Sequence, residues 1–248
     1  MEALLCRDHV FQAFSLPHLI PLVFIGFFGV AVILYAKKLE PKSKHRLLLL
    51  LSFLPFLGSF IIYPFAWYEG DLNIKEDLPL HLCRFLALSA PVVVWKGNRF
   101  WIGVFYFWII TGTLNANITP DVQYGFPNWT YFSYWLTHSF LLIIPFYYVF
   151  VFRLDIRWRD FKNAYVMMNV FLLTTLAVNY ILGANYMYTK QKPPVATMLD
   201  MLGPWPVYLI TGQLLVLALF FIAYLPFFIK RKEYRIISFA PLSKDWLR

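Results

Sequence analysis

The chain has 248 residues, 60% of them apolar and only 14% charged, with a formal net charge of +9. Soluble domains carry about a quarter charged residues, so this composition excludes one. It also excludes a disordered chain, and two cysteines exclude a disulfide scaffold. What remains is an integral membrane protein with no separate soluble domain. It is read as all-α, because the apolar runs are continuous rather than alternating as barrel strands require.

A crossing helix needs about 20 mostly apolar residues, and seven stretches qualify. The first, 18–36, opens on His18 and runs into the basic loop KKLEPKSKHR, so it reads as an uncleaved anchor. The second covers 47–67. The third, 78–95, enters with LPLHLCRF and brings in His81, Cys83 and Arg84. The fourth, 100–116, leaves through TGTLNANITPD, which carries Thr111, Thr113, Asn115, Asn117 and Asp121. The fifth, 129–152, enters with YFSYWLTHSF and places His138 roughly 12 Å below Thr130. The sixth, 164–182, leads past Asn179 to LGANYMY with Asn185. The seventh, 205–229, follows LDMLGPWP, with Asp200 just outside it and Gln213 deeper.

Lysine and arginine collect on the cytoplasmic side of membrane proteins. Alternate loops and the tail from Lys230 hold 17 of them; the other set holds 4, and Arg84 lies inside the third stretch. The N-terminus is therefore expected outside and the C-terminus in the cytoplasm. The basic excess serves orientation and anionic inner-leaflet lipid. It is not a nucleic-acid footprint, because no basic fold presents it.

Polar groups inside a span are costly, so each asks for a reason. Here they gather in the outer halves, which predicts a polar cavity open to the outer leaflet or the space outside. His81 and Arg84, three residues apart, are expected on one helix face, with Cys83 turned about 200° from His81. Tyr131, Tyr134, Trp135 and His138 form an aromatic stripe with the imidazole at its foot. Each residue has a plainer reading beside the functional one. His138 can be a core histidine bonded across helices. His81 and Arg84 can be interfacial anchors, with Arg84 alternatively holding phosphate or carboxylate. Cys83 can be packing, His18 an edge residue, and Asp121 and Asp200 loop residues. Cys6 and Cys83 are read as free thiols. His18, His81 and His138 with Asp121 or Asp200 invite a zinc site, but no HxxxH or HExxH pair is present, so neither metal nor cofactor is expected.

LPLHLC, GTLNANITPDVQYGFP, YFSYWLTHSF, ANYMY and LDMLGPWPVY together resemble the YwaF type of bacterial integral membrane protein, in order and spacing from the third stretch to the seventh, with His18 also fitting. That group is similar to a eukaryotic transmembrane family with an acyltransferase that remodels ether phospholipids. The resemblance implies a bacterial plasma membrane, membrane lipids as partners, His138 as general base and Cys83 as nucleophile, with His81 beside them. On physical grounds Arg84 is expected to hold lipid phosphate or to favour the thiolate, and Asn115, Asn185 or backbone N–H groups to stabilise the oxyanion, with Asp121, Asp200 and His18 as further substrate-binding candidates by position. The expected function is lipid acyl transfer or ester hydrolysis from the outer side. The alternatives are a transporter or receptor-like binder of a lipid or small anion, and an assembly partner of another membrane protein.

Overall fold

A computed structural model describes residues 2–5, 10–192 and 198–230. Cys6 and the basic tail beyond Lys230 lie outside the described residues. All secondary structure described is helical: among the described residues there is no strand, only an isolated bridge between Val10 and Tyr124. The elements are α1 Glu2–Leu5, α2 Leu16–Lys37, α3 Pro41–Phe60, α4 Ile62–Glu69, α5 Leu82–Lys96, α6 Arg99–Trp108, α7 Leu114–Ile118, α8 Trp129–Phe150, α9 Trp158–Leu182 and α10 Val207–Lys230. A π-helical turn, Ile109–Thr113, joins α6 to α7, and short 3-10 turns occupy Tyr186–Tyr188 and Met198–Leu202.

Among the described residues, four helices are long and apolar enough to cross a membrane: Leu16–Lys37, Pro41–Glu69, Trp158–Leu182 and Val207–Ile229. The protein is thus a multi-pass membrane protein, all-helical among the described residues. Several bounds differ from the sequence reading. The third stretch was expected to be helical from residue 78, but α5 starts at Leu82 with His81 as its extended N-cap residue. At 15 residues α5 is roughly 22 Å long, shorter than a bilayer core. His81 and Arg84 therefore do not share a helix face, because His81 precedes the helix. The sixth stretch begins earlier than expected, at Trp158, where the Asp160 carboxylate accepts from the Arg157 N–H and caps the first turn.

Close approach of α3 and α8 sets the centre. A Cβ on Gly58 would lie 2.7 Å from Thr137 N, so only glycine lets the two backbones meet there. The Ser133 hydroxyl donates to Gly58 O at 2.7 Å, and Ser59 and Thr137 pair their hydroxyls at 3.3 Å. Small residues and hydroxyl bonds of this kind are how helices associate in lipid, where apolar area alone gives no drive. On the side of α6 and α9, the Trp108 indole donates to Ala164 O at 3.0 Å. Leu86, Val94, Val104, Phe107, Ile144 and Phe220 fill the buried core between these helices.

Candidate functional site

The site is built where three irregular pieces of backbone meet. The first is the late start of α5. The segment before it is tied down: Arg84 donates to Asp77 O at 2.8 Å and to Glu76 O at 3.2 Å, and lies 3.7 Å from the Asp77 carboxylate. Arg84 thus holds its own loop in place through Nη1. Cys83, in the first turn of α5, has its Sγ 3.9 Å from Thr113 Oγ1.

The second piece is the π-turn. Leu114 N–H donates to Ile109 O, one residue further back than in an α-helix, so the turn widens. Single π-turns of this sort gather at functional sites. Widening carries Thr113, 0% exposed, to the Cys83 sulfur. One turn on, the Asn117 side-chain amide donates to Thr113 O at 2.8 Å.

The third piece is the loop between α9 and α10. Asn179, 0% exposed, donates to Tyr186 O and to Thr189 Oγ1 and accepts from Tyr186 N–H, all at 2.8 Å. Asn185 accepts from Lys190 N–H and donates to Gln191 O, so its side chain shapes the loop rather than a ligand pocket. Met187 and Tyr188 both hold positive φ, 57° and 53°, a region costly for non-glycine residues. The result sets the Tyr186 and Tyr188 rings against His81, at 5.3 and 5.5 Å between centroids. The Tyr188 hydroxyl donates to Asp121 Oδ2 at 3.2 Å. Burial, then the adjacent Asp121 carboxylate, push the Tyr188 phenol well above its ordinary value, so it remains a donor at neutral pH.

His138 enters from α8. Its Nδ1 lies 2.9 Å from Tyr134 O. A carbonyl only accepts, so Nδ1 carries the proton and Nε2 of the neutral ring is left with its lone pair. The Tyr134 ring stacks on the imidazole at 4.0 Å, and its hydroxyl donates to Ala116 O at 2.6 Å. Cys83 is within electrostatic reach of both Tyr134 and Tyr188. Among the described residues no hydrogen bond joins Cys83 to His138.

The predicted aromatic stripe divides. Tyr134 goes with His138, whereas Trp135 packs on His18 at 5.5 Å and Tyr131 donates to Pro17 O at 2.6 Å. His18 is 0% exposed, accepts at Nδ1 from Phe14 N–H (2.8 Å) and donates from Nε2 to Asn117 O (3.0 Å). Both its nitrogens are engaged, which makes it a buried clasp between α2 and α7. Asp200 stands apart, 3.7 Å from Lys192. Asn115 is half-buried on α7, where its carbonyl accepts from Thr119. Among the described residues, no three His, Cys, Asp or Glu side chains converge as a metal ligand set. Thr113, Tyr134, Tyr186 and Tyr188 are the members the sequence reading left off its list of site residues. The Thr-Gly-Thr run inside an apolar stretch was the available signal for the first, since three poor helix formers in a row invite an irregular turn.

Neither the curated proteins nor the solved structures contain a match to this chain. A family model does match, that of the TMEM164 family, over residues 13–224. The matched span runs from before α2 into α10 and includes each residue of the cluster just described. The chain belongs to the TMEM164 family, a family of transmembrane proteins.

Proposed function

We propose that this protein is a lipid acyltransferase or ester hydrolase of the bacterial plasma membrane, crossing it seven times with the N-terminus outside and the C-terminus in the cytoplasm. The 17-to-4 distribution of basic residues supports the orientation. The observation that carries the chemistry is the tautomer of His138. With Nδ1–H held by Tyr134 O, Nε2 is the proton acceptor, and the Tyr134 ring stacked on this imidazole is within electrostatic reach of the Cys83 thiol.

In this reading His138 Nε2 takes the Cys83 proton, and the sulfur attacks the acyl carbonyl carbon of a membrane lipid. The carbonyl oxygen gains the electron pair, and first-turn N–H groups of α5 stabilise it. When the carbonyl reforms, the acyl C–O bond breaks and the departing alkoxide takes the proton from His138. An incoming hydroxyl, of a lysolipid or of water, then gives its proton to His138 and its oxygen attacks the thioester carbonyl; the C–S bond breaks and the sulfur takes that proton from His138, restoring the Cys83 thiol. Arg84 positions the nucleophile segment through Asp77, and Asp121, Tyr188 and His81 line the outer mouth.

A binder or transporter of lipids without catalysis is the second reading. It is favoured by one feature: Cys83 and His138 each hold a different partner, Thr113 and Tyr134. Catalytic hydrogen bonds often tighten only with substrate, so this does not exclude turnover. The test is acyl release or exchange from labelled phospholipid by purified protein in liposomes. Wild type is expected to turn over, and His138→Ala and Cys83→Ala to lose at least 100-fold. Loss in His138→Ala alone would move the nucleophile to water. No turnover by wild type over a broad lipid panel would leave the binding reading.

A further inference from the structure

We infer that Thr113 is a further catalytic group, whose hydroxyl donates to the Cys83 sulfur when that sulfur is a thiolate. The inference rests on the acyl-transfer reading of the same site and names a residue that reading did not use.

Threonine and serine hydroxyls within helices ordinarily turn back to a carbonyl one turn earlier, and this chain does so repeatedly. Thr111 donates to Phe107 O, Thr119 to Asn115 O, Thr174 to Val170 O, and Ser89 to Phe85 O. Thr113 is different: fully buried, it has its hydroxyl against Cys83 Sγ, at 3.9 Å. The π-turn accounts for this. Ile109 O, the carbonyl a turn earlier, is taken by Leu114 N–H.

The side chain is also braced from behind. Asn117 holds Thr113 O, and Asn117 is in turn fixed by the Ser139 hydroxyl on its Oδ1 and by His18 on its carbonyl, both at 3.0 Å. A buried chain of bonds thus runs from α2 through α7 to the sulfur. Such bracing keeps the donor oriented, so little reorganisation is needed when charge appears on sulfur.

The proton inventory is simple. With Cys83 protonated, the S–H donates to Thr113 Oγ1. Once the proton has passed to His138 Nε2, the Thr113 O–H rotates and donates to the thiolate. Thr113 keeps its proton throughout and forms no covalent bond. A donor to the charged form favours that form, and in a water-poor site the effect is larger than in bulk.

The experiment uses full-length protein with Cys6→Ser, which leaves Cys83 as the sole thiol. Alkylation by a neutral maleimide is followed against pH in liposomes, beside acyl turnover, for the parent, Thr113→Val and Thr113→Ser. The expected result for Thr113→Val is alkylation about 10-fold slower at neutral pH, with the profile moved to higher pH and the same plateau at its top. Thr113→Ser should restore the parent profile, and turnover should follow the same order. A lowered plateau with an unmoved profile makes Thr113 a packing residue and overturns the inference. Superimposable profiles in a parent that turns over lipid overturn the Thr113 role alone. A parent without turnover overturns the acyl-transfer reading, and with it any catalytic role for Thr113, whatever the alkylation shows.

Discussion

At the junction of α6 and α9, Arg99 donates to Asp160 through both terminal nitrogens, at 3.0 and 2.6 Å, and to Asp155 O at 2.8 Å. Asp160 also accepts from Arg157 N–H at 2.7 Å, and a Cβ on Gly103 would press on its carboxylate at 2.9 Å. Every strong polar group there has two or more partners, held by regular helix. Around Cys83 the pattern is reversed. Helix α5 starts late, the α6–α7 helix loosens into a π-turn, and two non-glycine residues hold positive φ. Arg84 and Asn179 are well tied there, but three side chains with acid–base or nucleophilic chemistry each have one hydrogen-bond partner: Cys83 on Thr113, His138 on Tyr134, Tyr188 on Asp121. One region is over-determined and built for rigidity. The other keeps lone pairs and donors in reserve, as a site that must bind something requires.

The largest effect on stability is therefore expected at the Arg99 end. Asp160→Ala removes a mostly buried carboxylate, leaves the guanidinium without its main partner and uncaps α9. Breaking a buried pair costs about 3–5 kcal/mol, and since the Arg99 side chain is about a third exposed we expect about 2–3 kcal/mol here. Thermal unfolding of the purified protein in detergent measures it. A loss under about 0.5 kcal/mol, the level of an ordinary surface change, would break the comparison, because the paired end would then be no more structural than any other.

Asn179→Ala comes next, and its effect should be local. It strips Tyr186 N–H and O and the Thr189 hydroxyl of a shared partner. Leaving buried groups unpaired costs about 1–3 kcal/mol, and here the cost falls on the loop that holds Tyr186 and Tyr188 over His81. Faster backbone hydrogen exchange across 183–192, with α3 and α8 unchanged, is the expected outcome. Equal acceleration in α3 and α8 would mean that the loop belongs to the global folding unit and not to a separable functional region.

The two regions were unequally legible in the sequence. Continuous apolar runs announced helices, and the crowding of His, Asn and Asp toward one side announced a polar end. What stayed hidden is the irregularity that makes the site. LPLHLC is apolar enough to pass for helix, and only Pro79, which disfavours helical backbone in the residue before it, argues for the delay to Leu82. The positive φ of Met187 and Tyr188 has no local code, because it is imposed by Asn179 from another element. The split of the aromatic stripe depends on where α2 docks: Trp135 meets His18 there, and nothing in YFSYWLTHSF states it. His18 and Asn185 drew attention as polar residues in the right place. Their side chains are engaged in internal bonds, which one-dimensional position does not reveal.

The smallest effect on stability should come from Cys83→Ala, and this sharpens the comparison most. The substitution removes one long S···O contact at 3.9 Å and little volume. A half-buried residue with so few bonds should cost no more than about 0.5–1 kcal/mol. The same variant is expected to abolish acyl turnover. A large loss of function at small structural cost is the signature of a group kept for chemistry, whereas Asp160→Ala should show the opposite ratio. If Cys83→Ala unfolds the protein as readily as Asp160→Ala does, the thiol is a packing residue of the α5–α8 core. The irregular backbone around it would then need another explanation, and the binding reading would gain at the expense of catalysis.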